Sequence, residues 1–130
     1  MKIMVCYDGT EQSEKAVRLA RDQAAAFNGE VVIVTTMEKG NPRHQERINA
    51  SKKGLEAACS LVEGEGIACR SDLLIHGVEK GEDLVQFATD GGFDLIVIGI
   101  VRKSKVGKLL FRSTAQHVIL RAPCPVLTVN

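Results

Sequence analysis

The chain has 130 residues, 45% hydrophobic and 25% charged, with a formal net charge of +1, values that suit one globular domain with a real core. So small a net charge, with no Trp and one Tyr to stack on bases, makes a basic surface for nucleic acid or an acidic protein the least favoured reading. No stretch reaches the ~18 apolar residues of a membrane span, and Met1 to Val5 lacks the ordered regions of a signal peptide.

Lys2 to Tyr7 reads as a first buried strand, ending at Asp8-Gly9-Thr10, a turn that also offers helix-capping oxygens. From Glu11 to Asn28 the apolar residues Ala16, Val17, Ala20, Ala24 and Phe27 recur at helical spacing, and Asn28-Gly29 ends the helix. Glu30 to Met37 carries Val31-Val32-Ile33-Val34, a second buried strand, followed by a loop from Glu38 to Arg43 with Gly40 and Pro42. His44 to Glu63 is a more polar helix with Ile48, Leu55, Ala58, Cys59 and Val62 inward, stopped by Gly64 and Gly66. Ile67 to His76 alternates partway, as an edge strand would. Glu79 to Asp90 forms a third helix around Leu84, Val85 and Ala88, and Gly91-Gly92 ends it.

Asp94 to Ile98 is then a fully buried strand, closed by Gly99. Arg102, Lys103, Lys105, Lys108 and Arg112 follow with no acidic residue among them, and Ser113-Thr114 supplies cap chemistry for a helix from Thr114 to Arg121. That helix carries Ala115, Val118, Ile119 and Ala122 on one face; Pro123-Cys124-Pro125 breaks the chain before a last strand, Val126 to Val129. Strands alternating with helices predict an open, doubly wound, five-stranded parallel sheet with helices on both faces, Rossmann-like, in the order 3-2-1-4-5. The order reverses between the first and fourth strands, so Asp8 and Gly99 meet at the carboxyl edge, where such sheets bind ligands. Strand, basic loop and helix N-terminus together favour an anion.

Other chemistry finds less support. Cys6, Cys59, Cys69 and Cys124 show neither C-x-x-C nor zinc-ligand spacing, and buried reduced thiols of a cytoplasmic protein are expected. His44, His76 and His117 lie far apart on different elements, with no Cys or carboxylate at catalytic or metal-ligand spacing, so rim histidines and no metal site are expected. A Walker-like run ends at Gly107-Lys108 but has Arg102 at its first glycine and Leu109 at its hydroxyl position.

Three fragments, V-C-Y-D-G-T near the start, D-L-I-V-I-G in the fourth strand and A-P-C-P-V-L-T-V at the end, resemble the universal stress protein family over nearly the whole chain. The resemblance implies the same sheet in a single domain, residues 1–130. It also implies a homodimer joined through Val126, Leu127, Thr128 and Val129, and a regulatory rather than catalytic role with at most very slow ATP hydrolysis. Many members bind ATP or AMP, with Mg²⁺ for ATP, through a glycine pattern G-x2-G-x9-G-S/T. Here Gly99, Ser113 and Thr114 match that pattern, while Arg102 and Arg112 replace its second and third glycines. Asp8, Gly9, Thr36 and Met37 match positions near the nucleotide.

Two outcomes follow from those arginines. Their guanidinium groups could bond phosphate in place of backbone amides, giving an adenine-nucleotide sensor. They could instead fill the pocket and pair with Asp8, giving a nucleotide-free dimerisation module for an unidentified regulatory partner. Asp8 could equally cap the first helix, and Ser113 and Thr114 the last.

Overall fold

The structure, a computed structural model, describes residues 1–39, 43–101 and 113–130. Nine elements alternate as expected: β1 (Lys2–Cys6), α1 (Glu11–Phe27), β2 (Glu30–Thr36), α2 (His44–Glu63), β3 (Cys69–Leu74), α3 (Lys80–Gly91), β4 (Leu95–Gly99), α4 (Ser113–Arg121) and β5 (Val126–Val129). The strands form one sheet in the order β3-β2-β1-β4-β5, and every pairing is parallel.

Alternation along each central strand builds two cores. Ile3, Val5, Val31, Ile33, Leu95 and Val97 face α1 and α2, meeting Ala16, Val17, Leu55 and Val62. Met4, Cys6, Val32, Val34, Ile96 and Ile98 face α3 and α4, meeting Leu84, Ala88, Ala115 and Val118. Burying each Val, Ile or Leu contributes about 1.5–3 kcal/mol, so residues apolar on both faces fix the three middle strands between two helical layers.

Several expected boundaries and faces shift. Strand β3 is shorter than Ile67 to His76, and β4 runs from Leu95 through Gly99. Among residues expected inward, Ile48 on α2 and Val85 on α3 are only half-buried, and Ile119 is exposed because nine-residue α4 turns only Ala115 and Val118 fully into the core. Helix α1 ends with Asn28, not Gly29, in the left-handed conformation (φ 52°). Gly29 is required for a different reason: a Cβ there would stand 2.6 Å from the Met1 carbonyl oxygen. Gly66 (φ 76°), rather than Gly64, makes the left-handed turn after α2. The expected Gly40 and Pro42 loop, like Arg102 and Arg112, falls outside the described residues. No helix among the described residues is long and apolar enough to cross a membrane.

Candidate functional site

The site grows from the end of β1. Cys6 is in register with Val34 on one side and Ile98 on the other, so the chain leaves the sheet beside the ends of β2 and β4. Tyr7 N–H donates to the Val34 carbonyl at 2.8 Å, and Thr35 Oγ1 donates to the Tyr7 carbonyl at 2.8 Å. Asp8 Oδ1 accepts from Thr10 N–H at 3.1 Å and from Thr10 Oγ1 at 2.6 Å. Gly9 bridges them at φ 82°, a conformation costly for a residue with a Cβ. Thr10 Oγ1 in turn accepts from Ser13 N–H at 3.2 Å. The cap of α1 is therefore Thr10, and Asp8 acts one step back by holding the turn that presents it.

Above this turn lies a cleft of about 140 Å³ between the ends of β1 and β4 and the first turns of α3 and α4. It gathers four of the residues expected there: Asp8, Thr36, Gly99 and Thr114. Its floor is Val34, Leu84, Ile98 and Ile100. An apolar cavity near 150 Å³ holds a benzene-sized ring, so an open cleft of this size admits a planar ring, with attached polar groups at its mouth.

Other expected residues stand elsewhere. Met37 is buried, its N–H donating to the Leu74 carbonyl at 2.9 Å, and it does not line the cleft. Gly9 shapes the turn without lining the cleft either. Ser113 is the first helical residue of α4 and is exposed, so it and Thr114 lie within the first turn, whose N–H groups have no partner inside the helix. Arg102 and Arg112 lie outside the described residues.

Gly99 proves necessary for packing. A Cβ on it would sit 2.5 Å from the Gln12 carbonyl carbon and 2.7 Å from Ser13 N. The first turn of α1 thus rests directly on the end of β4, which closes one wall of the cleft.

The structure adds residues that motif spacing does not reveal. Lys80, the first residue of α3, lines the cleft. A cation at a helix N-terminus opposes the macrodipole, so its placement favours an anionic visitor. Helix α3 runs antiparallel to the strands, so its first turn lies at the carboxyl edge; the predicted topology was the available signal. Asp83, 5% exposed, lies with its Oδ1 2.7 Å from His76 Nδ1, and its Oδ2 accepts from Thr36 Oγ1 at 3.5 Å. His76 therefore keeps its expected exposure at the rim but does have a carboxylate partner, hidden by a seven-residue separation across the β3–α3 connection.

Burial quiets the two titratable groups where β1 ends at the cleft, Cys6 and Tyr7. Burial first, then Asp8 and Cys124, pushes the Cys6 thiol up from 9.0 to about 12, so it stays protonated and non-nucleophilic at neutral pH. Burial, with Glu14 and Asp8, also raises the Tyr7 phenol. Asp8 is the only carboxylate among the described lining residues.

Comparison with known proteins agrees with this architecture. The universal stress protein family model matches residues 1–130. A universal stress protein of Thermus aquaticus is 33% identical over 137 aligned positions, covering 98% of this chain and 97% of the relative. The solved universal stress protein of Archaeoglobus fulgidus superposes with a TM-score of 0.88 at 33% identity, covering 100% of this chain and 93% of that one. An Archaeoglobus fulgidus structure in complex with dAMP gives 0.83 at 31% identity, covering 100% and 98%.

Proposed function

The chain belongs to the universal stress protein family, and from that membership we propose that it is a homodimeric regulatory module binding an adenine nucleotide in the cleft between β1 and β4. The observation that carries the proposal is the convergence of Asp8, Thr36, Lys80, Gly99 and Thr114 around an apolar floor at the sheet's switch point. The dAMP complex of the Archaeoglobus fulgidus neighbour supports an adenine nucleotide as the ligand class. Val34, Ile98 and Ile100 would meet the base. Lys80 and the first-turn N–H groups of α4 would meet phosphate.

The residues fit AMP, or ATP with Mg²⁺. Magnesium is commonly held by one or two carboxylates together with substrate phosphates, and Asp8 offers one. The role is binding rather than turnover. Phosphoryl transfer needs a base or water-positioning group beside the metal; with Asp8 given to the metal and Cys6 held protonated, the described lining residues supply no second carboxylate for that task. Residues 1–130 act as one cytoplasmic domain in this proposal, in keeping with reduced thiols. The dimer seam runs along β5, whose outer edge has no neighbouring strand among the described residues.

Titration calorimetry of the full chain with AMP, ATP and cyclic AMP tests the site. Sub-millimolar binding is expected, weakened about tenfold or more in Lys80→Ala and Thr114→Ala, since each removes a charge-assisted contact. Ser113→Ala, which keeps the N–H, should change it less. No heat with any of the three would overturn nucleotide binding and leave the nucleotide-free interaction module.

A further inference from the structure

We propose that Cys59 and Cys69 are a redox modification site, closing to a reversible intramolecular disulfide when the protein meets a hydroperoxide. The site is separate from the cleft and does not depend on nucleotide binding.

The juxtaposition is a product of the fold. Cys59 lies on the buried face of α2, near its end. The chain then reverses through Gly66 at φ 76°, and Cys69 opens β3 in register with Val31 of β2. Both cysteines pack on the core shared by α1 and α2. Their sulfurs end 2.7 Å apart, so closure needs a further approach of less than an ångström. Cys6 and Cys124 are also free, but no such contact joins them.

Access is unequal in a way that suits sequential oxidation. Cys69 is half-buried and Cys59 buried. The Cys69 sulfur attacks the O–O bond of hydrogen peroxide, becoming a sulfenic acid with release of one water. Cys59 Sγ then attacks that sulfur; the S–O bond breaks, and the departing hydroxide takes the Cys59 proton as a second water. Two thiols and one peroxide thus give one disulfide and two waters, and a dithiol reductant reverses the change.

Burial raises both thiols, and Glu63 adds to each. Little thiolate is present at neutral pH, so proximity selects this pair rather than intrinsic reactivity. The bond would fasten the end of α2 to the sheet's edge strand and restrict the unfolded chain.

Trypsin leaves both cysteines in one peptide, residues 54–70. The full chain, reduced and then treated with hydrogen peroxide, is denatured, alkylated with iodoacetamide and digested. That peptide should appear unalkylated and lighter by two hydrogens, and should return to doubly alkylated after dithiothreitol. Cys6 and Cys124 should be alkylated throughout. The oxidised chain should melt several degrees higher than the reduced one. In Cys59→Ser the sulfenic acid on Cys69 should be trapped by dimedone. Double alkylation of peptide 54–70 after peroxide, or a dimer linked through Cys69 on a non-reducing gel, would overturn the proposal without bearing on the cleft.

Discussion

At the scale of single residues, the environment decides what each group can do. Cys6 looks in sequence like any thiol near a strand end, and its ionisation is set by what surrounds it. In the unfolded chain it ionises near 9.0, while in the folded chain it stays protonated to about 12. Above pH 9 the unfolded state therefore binds fewer protons, and stability present below that pH is lost as the pH rises toward 12. The loss approaches about 1.4 kcal/mol per pH unit for one group. Urea midpoints taken from neutral to strongly alkaline pH should fall more steeply in the native chain than in Cys6→Ala, whatever the baseline difference between them. Parallel curves would show that the thiol ionises in place. Gly99 makes the same point through space. Its identity was legible as part of a motif, but the reason, an approach of 2.5 Å to the α1 backbone, belongs to tertiary packing.

At the scale of elements, local chemistry explains most starts and stops. Thr10 begins α1 with its side chain, and Asn28 ends it in the left-handed conformation, its N–H donating to the Ala24 carbonyl. Asn tolerates that conformation better than other residues with a Cβ. Replacement by Ala should cost about 1 kcal/mol and lower the melting temperature by roughly 3–5 °C. Asn28→Gly should be close to neutral, and equal melting of all three chains would remove this account of the helix end. Helical spacing predicts α3 to within a residue at each end, yet nothing in the sequence marks Lys80 and Asp83, because neither belongs to a motif. Their meaning comes from the element's direction, which carries its first turn to the same edge as the end of β1.

At the scale of the whole molecule, the sheet of the described residues has β3 and β5 as its outer strands. Strand β5 carries Leu127 exposed to 38%, and Ile119 and Leu120 are exposed on α4. Apolar residues beside an open edge are an aggregation hazard that a second copy would remove. Leu127→Lys should weaken self-association at least tenfold by sedimentation equilibrium, while far-ultraviolet circular dichroism stays unchanged. A dimer of undiminished stability would place the seam on another surface.

The order of elements, the parallel sheet and the meeting of Asp8 with Gly99 were all readable from the chain. Runs such as Val31 to Val34 and Leu95 to Ile98 have no polar face, and short crossovers between such strands admit few topologies. Asp8 was readable as a turn residue, but which oxygen caps α1 depended on side-chain geometry that spacing does not encode. The pairs that only folding brings together, His76 with Asp83 and Cys59 with Cys69, were invisible as pairs. Periodicity assigns a residue to one face of its own element; how far that face lies from a neighbouring one is set by packing between elements, and only the tertiary structure decided it.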